Sequence, residues 1–497
     1  MIRNKVEASK GNKVQKRGKV FSPFYLFAFL LFFVAVLLFF GLAYPHHLHY
    51  QEQFQLFLFD STYVWEIVKR PGGIADLLGR FCTQFFLFAW VGAFIIAVLL
   101  SAVQLLSFRM FKVQRSKFNV QRLYGLSFVP SFLLWLFLLD ENALLGGVWA
   151  VLLTQLAIWG LVRLPDGWAR RILVIVAFVI LYWIAFGGSH YYRYPNVFPT
   201  LLYAAWFSAI IIPLVMWFIV RGRKSENAQQ QNNSLTIPGQ SSPPRSLSHL
   251  IPLTSFILVS VVMGTLVWKN ANFKAEKVMQ YDFMARHQQW NRILETINDE
   301  KPNNQIGVTV QNLALAMHGM LLDHMFDYNQ NGIAGLLPDV KEDATSPLPT
   351  AEAFYHLGMI NVAQRSVFEA QEAILDFQKS GRCYKRLAQT NLINGNYAVA
   401  RKYLSALQKT LFYKEWANET LPLLGNEKAI AQHPEYGRLR QMAYNEDFYF
   451  SDHVTPEMLE NLYFSNTNNR LAYQYLLAYY LLTGDREGYN NLISKMQ

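Results

Sequence analysis

The chain has 497 residues, of which 52% are hydrophobic, 15% aromatic and only 16% charged, against roughly 25% charged for an ordinary soluble protein. That composition excludes disorder and a collagen-like fibre, and two cysteines, Cys82 and Cys383, exclude a disulfide scaffold and a paired-cysteine metal site. The net charge is +11, and its placement decides whether nucleic acid is a candidate partner.

Long charge-free runs recur before residue 269, at 22–44, 81–108, 123–139, 142–162, 172–189, 194–220 and 249–268. Each is close to the roughly 17–25 residues that cross hydrocarbon as a helix, and each is apolar all round rather than striped. The pattern predicts seven spans. The run 123–139 is the shortest and carries Pro130. The first run is too long for a signal-peptide core and lacks a small-residue cleavage site, so it reads as an uncleaved anchor.

Orientation follows from Lys and Arg in the short loops. Nineteen fall in the segments that are cytoplasmic if the N-terminus is inside: seven in 1–21, then Arg109, Lys112, Arg115, Lys117 and Arg122, then Arg163, Arg170 and Arg171, then Arg221, Arg223, Lys224 and Arg245. Four, namely Lys69, Arg70, Arg80 and Arg193, fall in the opposite loops. Residues 269–497 carry 22 basic and 25 acidic side chains. The excess positive charge therefore belongs to cytoplasmic loops facing anionic lipid, not to a nucleic-acid surface.

The expected organisation is all-α. A basic cytoplasmic N-terminus, 1–21, precedes a six-helix membrane region, 22–220, with an outer loop at 45–80. A flexible cytoplasmic linker at 221–248, rich in Gln, Asn, Ser and Pro, leads to a seventh span at 249–268 and an extracytoplasmic helical domain at 269–497. The lipid bilayer is the first partner, with a plasma (inner) membrane location.

The tail repeats. Phe354, Leu357, Gly358 and Ala370 fall at tetratricopeptide signature offsets, with Gly358 as the small residue of a first helix. Tyr384, Leu387, Ala388, Gly395, Tyr397, Ala400 and Leu404 fit a second unit, turning at Asn394-Gly395-Asn396. Tyr473, Leu476, Ala478, Gly484 and Tyr489 fit a third, turning at Thr483-Gly484-Asp485. A fourth starts at Gln289-Trp290-Asn291 with Ile293 and Ile297. The segment 351–410 resembles a tetratricopeptide pair and the tail resembles that α-solenoid class; an irregular helical bundle is the alternative. The whole layout, with the loop QLFLFDSTYVWEIVKRPGGIADLLGRFCTQFF, resembles an uncharacterised family of bacterial envelope membrane proteins. A solenoid of this class implies a surface for a protein partner.

The first outer loop also resembles that of multi-span glycosyltransferases that use lipid-phosphate sugars. The resemblance implies Glu52 or Asp60 as general base or metal ligand, and Arg70 or Arg80 as phosphate holder. The closely spaced acidic pair usual in those enzymes is absent. The plainer reading has Asp60 capping a helix that ends at Pro71-Gly72-Gly73, where the next begins, the pair lying at the interface with Tyr63 and Trp65.

His46, His47 and His49 are weak metal candidates with Glu52, but no second ligand cluster completes a site. His190, Tyr191, Tyr192, Arg193 and Tyr194 read as an interfacial belt. The seven runs hold no Asp, Glu, Lys or Arg, which argues against coupled transport. Cys383 with His356 reads as a core cysteine, and Phe448, Tyr449 and Phe450 as wedge fillers. No cofactor is expected. The expected function is a non-enzymatic envelope scaffold whose tail binds a partner protein; the alternative is a glycosyltransferase-like enzyme using a lipid-linked sugar.

Overall fold

The computed structural model describes residues 23–112, 120–163, 167–186, 190–194, 198–212, 247–341, 343, 345–374, 378–444, 446 and 454–495. The expected basic N-terminus, nearly all of the linker, part of the sixth run and Phe448, Tyr449 and Phe450 lie outside the described residues. Among the described residues every regular element is helical, and β pairing is confined to two isolated bridges, Ala143 with Tyr192 and Asn331 with Ile333.

Three helices are long and apolar enough to cross a membrane: Pro23–Ala43, Ala89–Met110 and Pro252–Asn270. The first is α1 (Pro23–Leu38) extended by a π turn (Phe39–Ala43). The second lies in α5 (Ala89–Lys112) and the third in α10 (Leu247–Asn270). The runs at 123–139 and 142–162 and the described part of 194–220 form shorter apolar helices, Tyr124–Phe137, Gly146–Leu161 and Thr200–Ile212. The run at 172–189 gives α8 (Trp168–Phe186). We label Val129–Phe137 α6, Gly146–Arg163 α7 and Thr200–Ile212 α9.

α1, α5, α6 and α7 share one core. Phe32 packs edge-on to Phe128 and Phe132, and Phe132 stacks on Trp135 at 5.9 Å. Small residues let the backbones approach. A Cβ on Gly79 would meet the Gly146 backbone nitrogen at 2.4 Å, and one on Gly125 the Ser255 carbonyl oxygen at 2.4 Å.

Between α1 and α5 the chain forms α2 (Pro45–Glu52), α3 (Ser61–Val68) and α4 (Gly73–Thr83). Asp60 caps α3, accepting from the Thr62 and Tyr63 backbone N–H groups at 3.0 and 3.3 Å. Gly72 supplies the left-handed turn into α4, at φ +74°. Trp65 and Ile74 stay exposed, so the two short helices are amphipathic.

The tail consists of α11 (Phe273–Arg286), α12 (Trp290–Glu300), α13 (Gln305–Met317), α14 (Leu321–His324), α15 (Pro347–Leu357), α16 (Ile360–Glu372), α17 (Gly381–Ile393), α18 (Tyr397–Leu407), α19 (Lys414–Thr420), α20 (Glu427–Gln432), α21 (Tyr436–Met442), α22 (Thr455–Ser465), α23 (Arg470–Thr483) and α24 (Arg486–Ser494). Neighbours α12/α13, α15/α16, α17/α18 and α23/α24 pack as pairs. Asn394-Gly395-Asn396 and Thr483-Gly484-Asp485 are the turns that their sequence predicts, each with its glycine at positive φ. The register expected for Gly358 needs correction. Instead of sitting inside a first helix, it ends α15 at φ +97°, with the Met442 carbonyl oxygen 3.0 Å from where a Cβ would stand.

The array does not stay open. α23 returns to pack on α13, α14 and α15, and α21 packs on α15 and α17. The segment between α2 and α3 enters the tail as well. Leu56 and Leu58 share a buried cluster with Ala388, Leu404, Leu407, Tyr413 and Ala417. Backbone bonds stitch the segment in place, from Leu56 N–H to the Lys379 carbonyl at 2.9 Å and from Phe59 N–H to that of Lys409 at 2.7 Å.

Candidate functional site

The junction between α2, α11, α15 and α17 holds the densest set of buried charges. α2 begins at Pro45 with no cap of its own. Glu276 of α11 supplies one, its two carboxylate oxygens accepting from His46 and His47 backbone N–H at 2.7 and 2.9 Å. Burial pushes the Glu276 carboxyl up to about 7, against the lowering effect of those two bonds.

At the other end of α2, Glu52 is 5% exposed. The Tyr413 hydroxyl donates to its Oε1 at 2.9 Å, and Arg286 approaches its Oε2 only to 3.9 Å. Oε2 has no hydrogen-bond partner. Burial raises the carboxyl, and Arg286, Tyr413 and Arg382 offset this only in part.

Arg382 of α17 ties three elements together. It makes a two-pronged pair with Asp282 of α11 at 2.6 and 2.8 Å, and bonds Gln53 at 3.1 Å and Glu352 of α15 at 3.3 Å. Arg386, one turn on, bonds the other Glu352 oxygen at 2.5 Å and lies 3.7 Å from the Tyr355 ring centroid. Burial alone would raise Glu352, but Arg386 and Arg382 outweigh it and hold the carboxyl at about 2.

Beside this network lies a cavity of about 280 Å³. Arg286, His287, Arg382, Lys385 and Arg386 line it opposite Glu352 and Glu435, and Leu87, Phe412 and Trp416 give it an apolar side. Tyr413 and Arg286 touch both Glu52 and the cavity.

The residues singled out from sequence are dispersed. Glu52 is at the junction. Asp60 caps α3 and pairs with Lys409 at 2.6 Å on the surface. Arg80 is committed to Asp76, its Nε 3.0 Å from each carboxylate oxygen. Arg70 is half-buried, its carbonyl accepting from the Trp183 indole N–H at 3.1 Å.

His46 and His49 lie against Phe283 of the tail and His47 against Tyr44. His49 stacks on Phe283 at 4.3 Å. Burial lowers His46 and His47 to about 4 and His49 to about 3. No group of three or more His, Cys, Asp or Glu among the described residues is arranged to hold a metal ion. Arg193 leaves the expected belt: its guanidinium lies 3.7 Å from the Phe54 ring centroid and bonds the Tyr50 hydroxyl at 2.9 Å. Cys383 is buried, and burial pushes its thiol up to about 11.

Sequence reasoning passes over Arg286, Arg382, Lys385, Arg386, Glu276 and Tyr413. Arg382, Lys385 and Arg386 lie at i, i+3 and i+4 on α17, a cationic stripe beside its apolar positions. That spacing is the available signal.

A family model described as a family of unknown function (DUF6057) matches residues 21–190 and 184–497, and the chain belongs to that family. No curated protein and no solved structure matches.

Proposed function

We propose that this family member is a seven-span envelope membrane protein, N-terminus cytoplasmic and tail extracytoplasmic, whose outer loop and tail together form the chamber of a glycosyltransferase-like enzyme using a lipid-linked sugar. The three spanning-length helices and the Lys and Arg asymmetry support the membrane placement. The observation that carries the enzyme reading is Glu52, a buried carboxylate with one oxygen that accepts no hydrogen bond, reached through Tyr413 from a cavity lined by Arg286, Arg382, Lys385 and Arg386 together with Glu352 and Glu435. Burying such a group costs stability, and carboxyls perturbed in this way cluster at functional sites.

In this role the Tyr413 hydroxyl, which lines the cavity, takes the proton of an acceptor hydroxyl as it passes its own proton to Glu52 Oε1. The acceptor oxygen bonds the anomeric carbon as the sugar–phosphate bond breaks, and the phosphate leaves with the electron pair. Asp60 and Arg80 serve structure, because capping and ion pairing already engage them.

The scaffold reading draws on the stacked pairs α15/α16 and α17/α18, whose tetratricopeptide-like turns fit it. Their first helices, α15 and α17, meet α11 and the inserted loop, so a partner protein would have to use α16 and α18. A Glu52→Gln variant separates the two. An enzyme loses transfer by about a hundredfold or more at unchanged protein abundance, whereas a scaffold keeps its phenotype and still crosslinks its partner.

A further inference from the structure

We propose that the junction cavity binds the phosphate group of a membrane-anchored lipid phosphate, gripped by Arg286 and Lys385 of the tail. This takes the chamber reading as its starting point and names which part of the ligand sits there and which residues hold it.

Of the four Arg and Lys side chains lining the cavity, two are spoken for. Asp282 and Glu352 neutralise Arg382, and Glu352 also engages Arg386. Glu435 accepts from the Tyr355 hydroxyl at 2.9 Å. Arg286 reaches only the neutral Tyr413 hydroxyl at 3.1 Å, its nearest carboxylate oxygen being 3.9 Å away on Glu52. Lys385 has no ion pair among the described residues; its ammonium lies 5.0 Å from the Trp416 ring centroid.

These cations repel one another across open space. Lys385 is lowered by burial and then by Arg286 and Arg386, with Glu435 and Glu352 opposing the shift only in part. His287, on the same wall, is lowered by burial and by Arg286, Arg382 and Lys385. Like charges held together in a half-buried cavity are relieved by an anion between them, and a phosphate accepts both the planar fork of Arg286 and the point charge of Lys385.

The apolar side identifies the carrier. Phe412 packs edge-on against Phe85 and Phe88 at 5.5 and 5.4 Å, immediately before α5 enters its span, and Leu87 and Trp416 complete that wall. A ligand with an anionic head and a hydrocarbon chain uses both sides; a free anion uses one. Arg70 and Arg80, expected from the sequence to hold phosphate, do not line the cavity.

The test is equilibrium binding to the full-length protein in a neutral detergent, with farnesyl diphosphate and inorganic pyrophosphate as probes. Farnesyl diphosphate should bind saturably and pyrophosphate should compete at least about tenfold more weakly. Arg286→Gln and Lys385→Gln should each weaken both probes by about tenfold, the order expected for one charge-assisted bond. Lys385→Arg should restore binding, and Lys402→Gln on the exposed face of α18 should leave it unchanged.

Equal affinity for the two probes would support the phosphate site and overturn the lipid source. No saturable binding, or binding that Lys385→Gln leaves intact, would overturn the proposal. If Arg286→Gln fails to fold, the Lys385→Gln and Lys385→Arg pair still decides. Transfer by the wild type and by Glu52→Gln is measured on the same preparations, as the separate readout of the chamber reading. Lost transfer with absent wild-type binding would therefore sink this site and leave the chamber reading standing.

Discussion

Between α1, α5, α6 and α7 the buried surface is ring against ring and methyl against methyl, with neutral polar pairs such as Gln104 with Ser127 at 3.0 Å and Gln155 with Ser107 at 2.8 Å. Between α2, α11, α15 and α17 the buried surface holds Arg382, Arg386, Asp282, Glu352 and Glu52. The first kind of core is non-directional and tolerates substitution by shape. The second depends on each partner, because removing one leaves a charge buried and alone. Stability is spread through the spanning region and concentrated at the junction, where the ligand chamber is proposed.

The largest test of that contrast is Arg382→Met. It strands Asp282 and Gln53, leaves Glu352 with Arg386 as its one ion-pair partner among the described residues, and should cost roughly 3–5 kcal/mol, seen as a lowered thermal midpoint of the purified protein. A loss under about 1 kcal/mol would place the junction with the tolerant cores.

Next comes a titration. The Glu276 carboxyl, ordinarily near 4.5, is pushed to about 7 by burial in the fold. Its contribution to stability is therefore complete below pH 4.5 and lost as pH rises through 7. Compared with Glu276→Gln, the wild type should lose up to about 3 kcal/mol between pH 4.5 and 8, measured by parallel melts. A flat difference would show that the cap is solvated.

Leu58→Ala probes the inserted segment with no charge involved. It should cost about 2–3 kcal/mol and open residues 53–60 to limited proteolysis while leaving the spanning core intact. The smallest effect is expected for Asp60→Ala. Loss of the α3 cap should loosen the start of α3, with little added by the exposed Lys409 pair, read as faster proteolysis within α3.

The elements that local chemistry governs are legible in the amino-acid sequence. Three of the seven charge-free runs mark helices of spanning length, and others give shorter apolar helices. Asp60 followed by Ser61 and Thr62 marks a helix start, and Asn394-Gly395-Asn396 and Thr483-Gly484-Asp485 mark turns. Gly358 misleads because a glycine fits both a tight helix crossing and a left-handed helix end, and spacing alone does not distinguish them. The junction is hidden for a different reason. Tyr413 and Glu52 are 361 residues apart, Glu276 and His46 are 230 apart, and Arg382 and Gln53 are 329 apart. No periodicity connects such residues, so Glu52 is visible as a loop carboxylate while its tail partners are not.

The insertion of Leu56 and Leu58 into the tail bears on biosynthesis. Those leucines leave the ribosome more than three hundred residues ahead of α17 and α18, a delay of some tens of seconds at ordinary translation rates. Throughout that interval a greasy strand with unpaired amides waits for its mate. A quality-control factor would meet the nascent protein there, and truncation after α10 would leave that strand permanently unmated.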